Sequence, residues 1–529
     1  MVNINDIYAK AINLWRSNNF IEAKNNFKKV LKKQPFNSEV LSYIGILDLQ
    51  LKNFKEGIFS LKRANTISPN NKNIITNLSN GLLDYANELH NKNLFSQAID
   101  VLEESIKFLP KNEAAYLNLM RLYIHEKKYL KVKEKYECLK RINPKNENMY
   151  FLYANSLFDQ RDFQTANDLY GEAILLKPDF IECHFHQALC YEFIGNTRRA
   201  LEKYDDCSKI NPNYALALFN KSQLLLASNN FKEGWVLYRY RWKSKKNIDR
   251  YLFDPLKELN KSNFINNKIL VWAEQGIGDQ ILFSSLLDDF KSMTRELIVS
   301  LDERLIPIYK RSYQDIKFVS LKEALAQNYD YHCPLGNLGS FTRTNLDDFK
   351  KQKKQFLISD KQKNKYYLEL IQTKKPICGI SWTSKNEFYG DSKSISIDDI
   401  GEYLVNEKTK YVNLEYVDDK VQIETAIKKY NIDIYNAYEV DKYNDLDSLA
   451  SLISCCDYIV TISNVTAHFA GALGIKTILL VPYSYGKLWY WSDEIESKWY
   501  PSIKIFRQIK PSNWAETLDE LRKNLSNFL

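Results

Sequence analysis

Apolar positions in the first half of the chain recur at helical spacing, and one short pattern returns repeatedly. A small or aliphatic residue stands at Ala23, Gly57, Ala98, Val132, Ala166 and Ala200, and a larger one follows four residues later at Phe27, Leu61, Leu102, Tyr136, Tyr170 and Tyr204. Eight residues further on comes a proline, at 35, 69, 110, 144, 178 and 212, so that successive prolines are 34, 41, 34, 34 and 34 residues apart. Positions four apart share a helix face. The small residue admits a neighbouring helix, the large one fills the groove beside it, and the proline cannot continue the helix. The pattern predicts stacked helical hairpins. A seventh unit, Asn230-Phe-Lys-Glu-Gly234 with Tyr238 following, lacks its proline and ends the series. Seven extra residues before Ala98, around Asn87 to Asn93, predict longer helices or a longer turn in the third repeat.

This pattern resembles the tetratricopeptide repeat family, with about seven copies between residues 4 and 245. In such arrays the first helix of each repeat lines the concave side. Position six is Ala9, Tyr43, Asp84, Asn118, Leu152, His186 and Asn220; position nine is Ile12, Ile46, Asn87, Arg121, Asn155, Leu189 and Gln223. Amides along one face suit an extended polypeptide, because each can donate to and accept from a peptide main chain. Asn118, Asn155, Asn220 and Arg121 are therefore the expected acceptor groove. An asparagine-rich composition explains the same amides equally well.

After Trp242 the period changes. A polar connector, 246–265, leads to apolar runs alternating with helical segments: Lys268-Ile-Leu-Val-Trp-Ala, Glu296-Leu-Ile-Val-Ser-Leu301, Ile377-Cys-Gly-Ile-Ser-Trp382, Tyr411-Val-Asn-Leu-Glu415, Tyr458-Ile-Val-Thr-Ile462 and Thr477-Ile-Leu-Leu-Val481. Strands alternating with helices predict parallel sheets wound on both faces. Residues 350–375 read as a charged helix bridging two such sheets. The expected organisation is thus an all-α repeat solenoid over 1–245, a connector over 246–265, and two Rossmann-like α/β lobes over 266–372 and 373–529.

Two strand-to-helix turns carry candidate chemistry. The first, Glu274-Gln-Gly276-Ile-Gly278-Asp279-Gln280, uses glycines for a tight turn and brings Asp279 to the crevice above the strand ends, where α/β proteins bind ligands. It is not a dinucleotide fingerprint: Ile281 stands where the third glycine belongs, and a carboxylate beside the helix amides repels a pyrophosphate. Asp279 is a general base or a helix cap. The second turn, Thr461-Ile-Ser463-Asn464-Val-Thr466-Ala-His468, opens a helix rich in small residues. Its backbone N–H groups, with Ser463, Asn464 and Thr466, form a place for phosphate, and His468 is either a phosphate or sugar ligand or a buried structural histidine. Between the turns, Trp382 and Lys393 follow the first strand of the second lobe. A lysine there neutralises charge on a departing phosphate as a metal ion would, or is simply solvated. The aromatic run Tyr483 to Trp491 stacks on a ligand ring or packs on the neighbouring lobe.

Together these pieces resemble the two-lobed GT-B glycosyltransferases, in particular those joining tetratricopeptide repeats to lobes similar to ADP-heptose lipopolysaccharide heptosyltransferases and O-linked N-acetylglucosamine transferases; bacterial flagellin glycosyltransferases share the layout. The resemblance rests on Trp272-Ala-Glu-Gln-Gly-Ile-Gly-Asp-Gln, Gly379-Ile-Ser-Trp382, Leu449-Ala-Ser-Leu-Ile-Ser-Cys-Cys-Asp457, Thr466-Ala-His-Phe-Ala-Gly-Ala-Leu-Gly474 and Trp499-Tyr-Pro-Ser. It implies a metal-independent, inverting sugar transfer with a nucleotide-sugar substrate, no cofactor, and Asp279 as the base. Where heptosyltransferases carry Asp-Thr-Gly, this chain has Ser463-Asn464-Val465. That loss of a carboxylate speaks against a heptose donor and leaves a second reading open, a peptide-binding scaffold whose lobes perform no chemistry.

Composition narrows the field further. The chain has 529 residues with 74 Lys and Arg against 65 Asp and Glu, a net charge of +9. This charge is spread out and forms no basic stripe with stacking aromatics, so a nucleic-acid partner is not expected. Eight cysteines lie at 138, 183, 190, 207, 333, 378, 455 and 456 with no CxxC pair or zinc spacing, which predicts reduced thiols and no metal site. The start Met-Val-Asn-Ile-Asn-Asp has no leader pattern and no apolar run approaches a membrane span, so a cytoplasmic location is expected.

Overall fold

The computed structural model describes residues 3–243, 251–260, 262–263, 265–416 and 420–528. The chain divides into two compact units, Met1–Cys190 and Tyr191–Leu529.

The first unit is a run of antiparallel helical hairpins. Ile4–Arg16 pairs with Phe20–Lys33, Ser38–Gln50 with Phe54–Ile67, Lys72–Asn91 with Phe95–Phe108, Glu113–His125 with Tyr129–Ile142, and Glu147–Asp159 with Phe163–Leu176. The periodic small residues sit at the tightest approaches: a side chain on Gly57 would stand 2.9 Å from the Gly45 carbonyl oxygen, and one on Gly45 would overlap Leu61. Each repeat proline lies just beyond a helix, and asparagines such as Asn37, Asn71, Asn112 and Asn146 cap the helix that follows. The turns inside the hairpins carry a second signature of the same period. Asn18, Lys52, Asn93, Lys127 and Arg161 all adopt positive φ. The extra seven residues appear as a longer helix, Lys72–Asn91, of 20 residues where its counterparts have 13.

The second unit begins with the last helices, Thr197–Ile210, Ala215–Ala227 and Phe231–Tyr238, and continues into two parallel sheets. The first sheet holds β1 (Lys268–Trp272), β2 (Glu296–Ser300), β3 (Lys317–Val319) and β4 (Tyr331–Pro334) in the order β3-β2-β1-β4. The second holds β5 (Ile377–Ser381), β6 (Lys410–Asn413), β7 (Ile434–Tyr435), β8 (Tyr458–Ile462), β9 (Lys476–Val481) and β10 (Ile503–Arg507) in the order β10-β9-β8-β5-β6-β7. All neighbours run parallel. Strands such as Ile377–Ser381 and Tyr458–Ile462 are buried along their whole length, as parallel strands covered on both faces must be.

Three expectations change. The compact unit carrying the sheets reaches back to Tyr191. Trp235 packs against Gly339 and its indole N–H donates to the Arg343 carbonyl at 2.7 Å, so the end of the helical array is built into the first sheet's support. The connector falls partly outside the described residues. Of its described part, Phe253 packs on Trp272, and the Leu259 N–H donates to the His332 carbonyl at 2.8 Å. Residues 350–375 form no single helix: a 3-10 turn, Leu346–Lys351, precedes a helix confined to Lys361–Ile371.

Candidate functional site

In an open parallel sheet the ligand crevice lies beyond the carboxyl ends of the strands, where the strand order reverses. The first sheet reverses between β1 and β4, and the second between β5 and β8. Both candidate turns leave their sheets at these points.

From β1 the chain passes Glu274 and Gly276 into the helix Ile277–Ser284, with Asp279 in its first turn. From β8 it passes Ser463 and Asn464 into the helix Val465–Ala472, with His468 on its inner side. These two helices pack on each other. Gly278 makes the approach possible, because a side chain there would stand 2.7 Å from the His468 ring.

Asp279 is partly buried, and burial with the nearby Glu274 pushes its carboxyl up to about 6. The Lys393 ammonium, a hydrogen bond from the Tyr490 hydroxyl and one from the Gly276 backbone restrain the shift. Lys393 closes the short helix Gly390–Lys393 and is 3% exposed; burial pulls it down to about 8 against the attraction of Asp279. His468 is also buried, and that burial, followed by the Lys393 charge, pulls it down to about 3, so it is neutral near pH 7. Its Nδ1 lies 2.9 Å from the Tyr500 hydroxyl and its Nε2 3.5 Å from the Tyr490 hydroxyl. One proton arrangement satisfies the set: Tyr500 donates to Nδ1, Nε2–H donates to Tyr490, and Tyr490 donates to Asp279. Both ring nitrogens are thereby engaged. In this closed arrangement His468 bears on Asp279 through Tyr490 and is not a direct phosphate or sugar ligand.

The other expected donor residues divide. Ser463 accepts from the Trp491 indole N–H at 2.9 Å. Asn464 caps the helix by accepting from the Ala467 N–H, and its amide nitrogen donates to Ser381 Oγ at 3.0 Å and to the Thr383 carbonyl at 3.4 Å. The side chain of Asn464 thus ties β5 to β8, which corrects its expected role as a phosphate ligand. Thr466 is buried beside it. Trp382 is corrected as well: its side chain lies in the core with Ile380, Ile395 and Trp514, and its backbone makes the polar contacts, the N–H donating to Glu415 at 3.0 Å and the carbonyl accepting from the Ile395 N–H at 2.9 Å.

Two carboxylates were missed by sequence reasoning. Glu415 accepts from the N–H groups of Trp382, Thr383 and Tyr416 and so fixes the loop after β5. Glu274, its side chain 4% exposed, accepts from Arg241 at 2.7 Å, from Gln275 at 3.1 Å and from the Gly336 N–H at 3.3 Å. Glu274 stood inside the motif, but its partner Arg241 lies in the helical array and no local signal joins them.

Of the expected acceptor groove, Asn118 donates to Asn87 at 2.9 Å and accepts from Arg121 at 2.9 Å, a short ladder on one face of the first unit. Asn155 instead accepts from the Tyr170 hydroxyl at 2.7 Å. Asn220 belongs to the second unit, where it bonds Tyr204.

Among the described residues no group of three or more His, Cys, Asp or Glu is placed to hold a metal ion, and no helix is long and apolar enough to cross a membrane. Comparison with known proteins gives limited likenesses. No protein-family model matches the chain. Protein FlbA of Caulobacter vibrioides is 22% identical over 385 residues, which cover 68% of this chain and 63% of FlbA, so the match spans under two thirds of that relative's length. Among solved structures, MamA (18% identity, TM-score 0.29) and the tetratricopeptide protein YrrB (14%, TM-score 0.31) match 31% and 37% of this chain and 97% of their own. The C-terminal part of a repeat-containing protein from Cytophaga hutchinsonii is 13% identical at a TM-score of 0.37, covering 46% of this chain and all of its own length.

Proposed function

We propose that this protein moves a sugar from a nucleotide-activated donor to a hydroxyl of a polypeptide recruited by its helical repeats, without a metal ion. The observation that carries this reading is the meeting of Asp279, with its raised proton affinity, and the buried Lys393 where the two sheets' crevices face each other. Asp279 takes the proton of the acceptor hydroxyl, whose oxygen bonds to the anomeric carbon as the bond from that carbon to the phosphate breaks. The departing phosphate gathers negative charge. Lys393, mostly protonated near pH 7, and the first-turn N–H groups of Val465–Ala472 offset it. Tyr490, held by His468, keeps the Asp279 carboxylate aimed. Because Ser463, Thr466 and Lys393 are buried, the lobes part to admit the donor and close again to exclude water. A cytoplasmic setting, where nucleotide sugars are made, belongs to this proposal.

That same burial favours one rival, a peptide-binding scaffold with a closed, silent crevice. Thermal melting with UDP, GDP, ADP, CDP and CMP separates the two, since a nucleotide that binds only the folded state raises the melting temperature. A rise with one of them that Lys393→Met diminishes supports the transferase; no response to any of the five refutes it in favour of the scaffold.

A further inference from the structure

Beside the crevice lies a second cavity, of about 270 Å³, bounded by the last helices of the array, the loop after β9 and the end of β10. Gln223 stands on its wall, in the row of amide positions expected to face the concave side of the repeats. Trp489 forms part of the opposite wall, and the next residue, Tyr490, bonds Asp279. The cavity wall and the tyrosine that bonds the proposed base are therefore adjacent along the chain.

Its charges are unevenly compensated. Lys487 and Arg507 both bond Asp493, at 2.7 and 3.0 Å. The two cationic side chains are only 20% and 22% exposed, whereas Asp493 is 79% exposed. Two largely buried cations thus share one carboxylate that stands in solvent. The other acid on the wall, Glu192, accepts from the Tyr204 hydroxyl at 2.9 Å, and burial pushes it up to about 7, so near neutral pH its carboxyl is only partly ionised and offsets Lys487 only in part. Burial also pulls Lys487 and Arg507 below their usual values, as expected of cations short of counter-charge.

We infer that this cavity receives a carboxylate side chain of the acceptor polypeptide, which replaces Asp493 on Lys487 and Arg507 and sets a neighbouring hydroxyl before Asp279. An acidic residue close in sequence to the modified hydroxyl would then be the selected feature. The role in transfer rests on the proposed reaction, but the binding does not, so the two fail separately.

The test is fluorescence anisotropy on the full chain with a labelled Gly-Ala-Glu-Ser-Thr-Glu-Ala-Gly peptide and its twin carrying Gln for both Glu. The Glu peptide should bind about tenfold more tightly. Lys487→Gln and Arg507→Gln should each abolish most of that preference. Asp493→Asn, at an exposed position that folding tolerates, should widen it by freeing the cations. Equal affinity for the two peptides, no measurable binding of either, or a preference unchanged in Lys487→Gln and Asp493→Asn overturns the assignment. Competitive displacement of the Glu peptide by UDP also overturns it, because the cations would then belong to the donor.

Discussion

Gly278→Ala tests whether the two helix turns meet as described. The added methyl would stand 2.7 Å from Cδ2 and 2.9 Å from Nε2 of His468. That ring cannot step aside: its Nδ1 is held by Tyr500 at 2.9 Å, and the rings of Tyr490 and Trp491 lie 5.5 and 5.3 Å away. Overpacking of this kind costs about 1–3 kcal/mol. Alanine in a helical position returns up to about 1 kcal/mol over glycine, leaving a net loss of about 0–2 kcal/mol, at most roughly 4 °C in melting temperature. Scanning calorimetry on the wild type, Gly278→Ala, His468→Ala and the double variant closes the cycle. Removing the imidazole should make room for the methyl, so the double variant should be more stable than the sum of the single losses by about 1 kcal/mol or more. Strictly additive effects would refute the contact between the lobes.

Asp279→Asn should lower sugar transfer by about 10²–10⁴-fold while preserving the fold, as checked by mass spectrometry of the acceptor beside a circular-dichroism melt. Lys393→Met removes the cation that restrains Asp279, so the acid limb of the rate profile should move to higher pH; a limb that stays in place denies the coupling. Asp279 and Glu192 bind protons more tightly folded than unfolded, so the stability they confer is full below about pH 4 and is lost as pH rises through about 6 and about 7. Asp279→Asn and Glu192→Gln should therefore gain urea midpoint over wild type at pH 8 and not at pH 4. His468 has the opposite sign: its contribution is full above about pH 6.5 and is lost as pH falls toward about 3, which His468→Gln should flatten. Asn118→Ala should break the ladder with Asn87 and Arg121 and weaken peptide capture by the first unit, measured by anisotropy.

Much of the fold was legible because it is written in local terms. Prolines and small residues phase the hairpins, and the glycines of 276–278 announce a strand-to-helix turn. What the sequence hid depends on distant partners. Trp382 follows a strand in a motif, yet which way its ring points is decided by Ile395 and Trp514. Asn464 looked like a ligand because a cap and a phosphate contact need the same amide; Ser381, on another strand, decided between them. Tyr490 lay in an aromatic run with no sign that its hydroxyl would reach Asp279 across two lobes. The boundary at Tyr191 was hidden for the same reason, since the last hairpins keep the repeat's internal pattern while their outer residues meet the sheet.

Trp235 and Arg241 have a practical bearing on dissection. A fragment starting at residue 246 would lose the indole that fills the hollow over Gly339 and the guanidinium that neutralises Glu274. An apolar socket would then be wetted and a buried carboxylate would lose its ion-pair partner, so such a fragment should aggregate, whereas one that keeps the last hairpins carries its own lid and counter-ion.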